Sequence, residues 1–287
     1  MNLTDLYDKG FMRGLQYMEK RVKQTEEELF CPYSLTGVAA AVTAALGVEA
    51  PQNAAPPVEP LKKLLEAEPV DRVVLYNPDA VALWLFEKYT PVFLPVMENA
   101  RLTLPLQSVM PSVTPVCFAT MYTGALPEVH GIKAYRKPVV KTDSVFDALL
   151  RAGKRCAIVS VENASMSKIF LERDMDYFIC ATTREAHQKA AELIAQNEYD
   201  LLSVYDPDYD DAMHRCGPEG EGAMNALRSN AAAYAALAQC IREHKNGRRT
   251  LLGFAPDHGC HAIDGGGGSH GLMMPEDMNI VHFYTVI

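Results

Sequence analysis

From Asp71 onward, short apolar runs alternate with longer segments of helical periodicity. The apolar runs are Val73–Tyr76, Lys154–Val161, Tyr177–Cys180, Leu201–Tyr205, Leu251–Ala255 and Ile280–Val286, and helices are expected at Ser144–Ala152, Arg184–Gln196 and Ala223–His244. Continuous apolar runs bounded by turn residues are strands buried on both faces. Alternating with helices, they predict an α/β fold of three layers, a mainly parallel sheet flanked by helices. Upstream the pattern differs. Residues Asn2 to Phe30 carry apolar positions at helical spacing (Leu3, Leu6, Tyr7, Phe11, Leu15, Met18, Val22) among many charges. A helix is expected over Thr36–Leu46, stopped by Gly47, then a linker at Pro51–Pro57 and a short helix over Glu59–Glu66. The predicted organisation is therefore an N-terminal helical extension and linker over residues 1–70, and an α/β domain over 71–287.

Composition narrows the function. A chain of 287 residues suits one large α/β domain. Its net charge of −9 argues against a nucleic-acid polymer as partner, since such surfaces are normally basic. Clustered carboxylates that hold metal ions fit the same balance. Seven cysteines, odd in number and without a CxxC pair, read as reduced thiols. The acidic start lacks the apolar core of a signal peptide. The most apolar window, Gly37 to Val48, is too short to span a bilayer. A cytoplasmic protein without a membrane partner is expected; the oligomeric state is left open.

The stretch from Pro111 to Ile132 holds the first candidate for chemistry. Thr114 precedes Pro115, an apolar run follows, and Gly124 ends it, which is the grammar of a capped helix. The plain reading makes Thr114 the N-cap. The functional reading puts its hydroxyl at the positive end of a helix, where an anion such as phosphate is favoured.

Three strands end alike, in Leu75-Tyr-Asn-Pro-Asp79, Val204-Tyr-Asp-Pro-Asp208 and Gly253-Phe-Ala-Pro-Asp257. Each delivers a carboxylate just past the carboxyl end of a strand, where open α/β sheets bind ligands. Asp210 and His214 stand one helical turn apart and can face a single ion. Asp257 and His258 are adjacent, and the glycines at 265–268 can carry His270 back to the same pocket. Mixed Asp/His ligands suit zinc, with manganese or iron as alternatives. Two such ions form a clamp for phosphoryl transfer. Partial matches to a calcium loop at Asp206–Asp210, a nucleophile elbow at Gly267–Gly271 and a dinucleotide loop at Gly266–Gly271 lack the required flanking residues or elements.

With these residues assembled, the chain resembles the alkaline phosphatase superfamily, in its branch of type I phosphodiesterases/nucleotide pyrophosphatases and phosphonoacetate hydrolases. The signatures are Thr114 followed by Thr123-Gly124, Pro127 and His130-Gly131-Ile132; Asp210 to His214 with Gly217-Pro218; Asp257-His258-Gly259; and His270-Gly271. The resemblance implies that Asp79, Thr114, Asp257 and His258 surround one metal and that Asp210, His214 and His270 surround a second. Asp206, Asp208 and Asp211 are close rivals of Asp210. It further implies Thr114 as the nucleophile, a phosphothreonine intermediate, and a small phosphorylated substrate. A phosphonate substrate is the first alternative, and a metal- or phosphate-binding protein without catalysis is the second. The family's phosphate-binding asparagine is replaced by Cys117, a poor donor. Lys133 and Arg136, in the basic stretch that ends at Lys137, are the candidates to hold substrate instead. Between His214 and Asp257 there is room for about a helix and a strand, so a rather open site is expected.

Overall fold

The computed structural model describes residues 29–287. The amphipathic segment expected over residues 2–30 falls almost wholly outside them. In chain order the elements are α1 (Val38–Ala45), α2 (Glu59–Ala67), β1 (Arg72–Pro78), α3 (Leu83–Lys88), α4 (Leu94–Met97), β2 (Leu102–Gln107), α5 (Thr114–Thr123), α6 (Pro127–His130) and α7 (Val145–Arg151). They continue with β3 (Cys156–Val161), α8 (Ser165–Ile169), β4 (Asp176–Cys180), α9 (Thr183–Gln196), β5 (Leu201–Asp206), α10 (Asp208–Cys216) and α11 (Glu221–Glu243). The chain ends with β6 (Thr250–Phe254), the short pair β7 (His261–Ala262) and β8 (Gly268–Ser269), α12 (Pro275–Met278) and β9 (Asn279–Val286).

Seven strands form one sheet in the order β2-β9-β6-β1-β5-β3-β4, and only β9 runs against its neighbours. All seven residues of the central strand β1 are buried, as its unbroken apolar run requires. Its side chains alternate between the two faces. Val73 and Leu75 join a core with α1, α2, α5, α7 and α8, while Val74 and Tyr76 join one with α3, α4, α9, α10 and α11. The three-layer fold is thus as expected. Residues 35–70 share the first of these cores, with Leu35, Val38, Val42, Leu61 and Leu65 buried in it.

The edge strand β2 was not among the expected runs. Its sequence Leu-Thr-Leu-Pro-Leu-Gln alternates in burial and contains Pro105, and proline is tolerated in sheets only at an edge. Within the seven-stranded sheet it pairs with β9, and its last residue, Gln107, makes a single parallel bridge to Ser34. Among the described residues, no helix is long and apolar enough to cross a membrane.

The parallel register brings three strand ends together. Pro78 lies opposite Asp206, Asp79 N–H donates to Asp206 O at 2.9 Å, and Ala255 N–H donates to Tyr76 O at 2.8 Å. The carboxyl edge of β5, β1 and β6 is therefore one ledge, on which the candidate residues sit.

Candidate metal and active site

Seven residues expected from the sequence converge on this ledge. Asp79 follows β1, Asp257 and His258 follow β6, Asp210 and His214 lie on α10, His270 follows β8, and Thr114 opens α5. They form two groups of possible metal ligands, Asp79 with Asp257 and His258, and Asp210 with His214 and His270. In the first, His258 Nε2 is 3.3 Å from Asp79 Oδ1 and 3.5 Å from Asp257 Oδ2. Thr114 Oγ1 lies 3.4 Å from the same nitrogen. In the second, Asp210 Oδ1 is 3.3 Å from His214 Nε2 and 3.5 Å from His270 Nε2. The rings of His258 and His270 have centroids 4.1 Å apart, so the groups are contiguous.

Every imidazole is held in the same sense. Nδ1 of His258 faces Gly259 O at 2.9 Å, that of His270 faces Ser112 O at 3.0 Å, and that of His214 faces Gly268 O at 3.0 Å. A backbone carbonyl only accepts, so each Nδ1 carries the proton and each Nε2 turns a lone pair into the pocket. Outer contacts of this kind orient histidines that bind metals.

The carboxylates point the same way. Tyr205 O–H donates to Asp79 Oδ2. Ala80 N–H donates to Asp257 Oδ1 at 3.4 Å, from a residue at φ 63°. That left-handed backbone costs an alanine about 1 kcal/mol. The remaining oxygens, Asp79 Oδ1, Asp257 Oδ2 and Asp210 Oδ1, are buried and have no hydrogen-bond partner. Three carboxylate oxygens and three imidazole nitrogens thus crowd together, with the Thr114 hydroxyl beside His258 Nε2. Buried acceptors left unpaired are expensive, and a divalent cation in each group would satisfy them. The donor set of two carboxylates or one with imidazole fits zinc or a similar ion.

Electrostatics without a cation express the same crowding. Burial, then Asp257 and Asp210, pushes the Asp79 carboxyl well above its ordinary range. Burial carries Asp257 to about 8 and lowers His258 to about 3. His214 rises to about 8 because it bonds Asp210. A bound cation inverts this logic by favouring carboxylates and neutral imidazoles.

Thr114 departs from the expected cap. It is the first residue of α5, with Val113 as N-cap, and its hydroxyl makes no capping bond. The amides of Val116 and Cys117 are both spent on Val113 O, and Pro115 has none. The helix end therefore offers few free N–H groups, and the Thr114 oxygen faces the pocket instead.

The rivals of Asp210 are occupied elsewhere. Asp206 Oδ2 accepts from Tyr76 O–H at 2.5 Å and from His187 Nε2 at 2.9 Å. Asp208 accepts from Thr183 at 2.6 Å, and Asp211 is exposed. Cys117 is buried beneath Thr114, its sulfur accepting from Ser108 O–H at 3.2 Å; burial raises the thiol far above its ordinary range. It remains a neutral packing group. Lys133 and Arg136 are exposed, and neither side chain bonds a residue of the two groups. Tyr135 between them is 60% exposed; burial, followed by the charges of Asp79, Asp210 and Asp211, raises its phenol, and Lys137 Nζ sits 5.4 Å from its ring centre. No spacing signal marked Tyr135, because the loop after α6 has no periodicity.

The glycine run works through close approach. A Cβ on Gly268 would lie 2.3 Å from Met213 Sδ and 2.9 Å from Met213 O. Only glycine lets β8 touch α10, which brings Gly268 O to His214 and His270 to Asp210. The second group is the more open, since the His214 side chain is 42% exposed and that of His258 is 0%. Only α11 and β6 lie between His214 and Asp257.

A model of the type I phosphodiesterase / nucleotide pyrophosphatase family matches residues 73–277. No curated protein sequence matches the chain. Among solved structures, murine ectonucleotide pyrophosphatase / phosphodiesterase 5 is similar over 68% of this chain and 58% of its own, at 18% identity and a TM-score of 0.55. Phosphonoacetate hydrolase from Sinorhizobium meliloti in complex with phosphonoformate covers 67% and 57%, at 15% identity and a TM-score of 0.51. The C-terminal periplasmic domain of a Campylobacter jejuni phosphoethanolamine transferase covers 76% and 80%, at 11% identity and a TM-score of 0.57. These likenesses concern the fold. The chain spans a little over half the length of the first two.

Proposed function

The chain belongs to the type I phosphodiesterase / nucleotide pyrophosphatase family, and from that premise we propose that it is a metal-dependent phosphoric-ester hydrolase with Thr114 as nucleophile. One observation carries the reading. Three buried, unpartnered carboxylate oxygens face three histidine lone pairs, and the Thr114 hydroxyl lies 3.4 Å from His258 Nε2. Asp79, Asp257 and His258, with Thr114, would hold one divalent ion, and Asp210, His214 and His270 the other, zinc first and manganese or iron as alternatives. When bound, the ions would supply the positive charge that lowers the hydroxyl pKa and neutralises the transferring phosphoryl group.

The protein's own part is placement. Thr114 Oγ1 attacks phosphorus in line with the ester oxygen; the P–O ester bond breaks, the alcohol leaves with a proton, and phosphothreonine remains. Water then cleaves the P–O bond to Thr114, releasing phosphate or its monoester and restoring the hydroxyl. The fixed Nδ1–H bonds keep all three imidazoles aimed inward through both steps. A murine relative is described as inactive when a threonine is replaced by alanine, in a complex with AMP, which accords with a threonine nucleophile here. A phosphonate substrate would use the same residues and differ in breaking a P–C bond. The substrate is a small phosphorylated compound in the first case and a small phosphonate in the second.

The test is turnover of an aryl phosphodiester, an aryl phosphomonoester and phosphonoacetate after loading with Zn²⁺ or Mn²⁺, in wild type and Thr114→Ala. Metal-dependent hydrolysis lost in the variant supports the reading, and the preferred substrate assigns the subgroup. Full activity in Thr114→Ala would remove the covalent mechanism. Bound metal with no turnover on any of the three would favour a binding protein.

A further inference from the structure

Part of each ligand group is carried by a loop, and the short β7–β8 pair, with His261 opposite Ser269, joins the two loops on one side. Asp257 and His258 sit on the loop after β6, and His270 on the loop after β8. The His258 and His270 rings are 4.1 Å apart, so the spacing between the groups depends on how those loops are fixed relative to each other. Asp277, in the single turn α12, bonds to both.

Its carboxylate is fully buried. Oδ1 accepts from His261 Nδ1 at 2.7 Å, where the first loop enters β7, and Oδ2 accepts from Leu272 N–H at 2.8 Å, on the second. Its backbone oxygen accepts from Gly259 N–H at 2.8 Å. A second, independent observation shows that the first loop is pressed onto this turn: a Cβ on Gly259 would lie 2.0 Å from Glu276 O. The second loop is also pinned from its far side, where His270 Nδ1 bonds Ser112 O, next to Val113 and Thr114. None of these contacts belongs to a ligand atom, and nothing in the metal-binding pattern needs His261 or Asp277.

We infer that Asp277 is a positioning residue, a clasp that with His261 ties the two loops together beyond the β7–β8 pair and so holds the distance between the two metal groups. The inference rests on the two-metal reading above. A carboxylate suits the task because it accepts from both loops at once. An asparagine has one acceptor oxygen, and its amide would turn donors towards one of two donors. Loosening the clasp leaves every ligand in place and lets the His258 and His270 loops drift. Outer contacts of metal sites typically change affinity by about 10- to 100-fold when removed.

The experiment is a chelator-competition titration with Zn²⁺ on the full chain, in wild type, Asp277→Asn and His261→Ala, with visible spectra of the Co²⁺-loaded proteins. His261→Ala keeps the Leu272 bond and is the second probe should Asp277→Asn fold poorly. Two ions in wild type, with the affinity for one or both lowered about 10-fold or more in a folded variant and the Co²⁺ bands shifted, is the expected result. Two ions in wild type with unchanged affinity and spectra in the variants would overturn the clasp and leave the proposed function standing. A wild type that binds no ion would overturn both.

Discussion

The Thr114 hydroxyl lies 3.4 Å from Nε2 of His258, which stands in a buried group with Asp79 and Asp257. Because this hydroxyl lies against His258 and Val113 is the N-cap of α5, removing it is expected to cost the helix little. Thr114→Ala is expected to fold, to bind both metals more weakly at most by one ligand, and to lose turnover by about 1,000-fold or more. Steady-state kinetics beside a metal titration checks this.

Asp210 and its rivals separate by stoichiometry. Asp210→Asn is expected to reduce bound metal from two ions to one, since among the described residues Asp210 Oδ1 is the carboxylate oxygen grouped with His214 and His270. Asp211→Asn, at an exposed side chain, is expected to keep both. Metal analysis of dialysed protein decides, and equal stoichiometry in the two variants would refute the ligand assignment.

Metal should also stabilise the fold. Asp79 Oδ1, Asp210 Oδ1 and Asp257 Oδ2 are buried without partners, a burden that a cation relieves. At a free ion concentration of about one hundred times Kd, the gain is about 2.7 kcal/mol per site. Chelation with EDTA is expected to lower Tm by several degrees and Zn²⁺ to restore it. A Tm indifferent to both would exclude the site.

Two histidines outside the pocket set an acid limit. His130 accepts from Ile132 N–H and lies 3.0 Å from Thr120 Oγ1, and burial lowers it to about 4. His282 bonds Pro256 O and Tyr284, and burial lowers it likewise to about 4. Both are neutral when folded, whereas the unfolded chain protonates them near 6.5. Between about 6.5 and 4 the unfolded state binds more protons, so stability rises with pH across that window and falls as pH drops through it. Denaturant midpoints at pH 7, 5.5 and 4.5 are expected to descend, and His130→Gln, which cannot titrate, to descend less steeply.

The chain's own order of residues determined the fold class and most of the site. Apolar runs such as Val73–Tyr76 can be buried on both faces only in a covered parallel sheet, and the shared Pro-Asp endings fix where carboxylates emerge. The one-turn spacing of Asp210 and His214 is likewise a property of helix geometry that needs no tertiary information. Tertiary structure decided what local pattern leaves open. Asp206 and Asp210 are equally acidic in sequence, but the register of β1 and β5 gives Asp206 to Tyr76 and His187. The strand at Leu102–Gln107 exists because β9 offers it an edge. Lys133 and Arg136 were attractive as charges near a signature, yet the path of an aperiodic loop leaves both exposed. Asp277 had no pattern of its own, since a carboxylate that bonds two loops is defined by contacts between residues distant along the chain. Periodicity reports the environment of a segment, whereas the partner of a buried polar atom is chosen only when the segments pack.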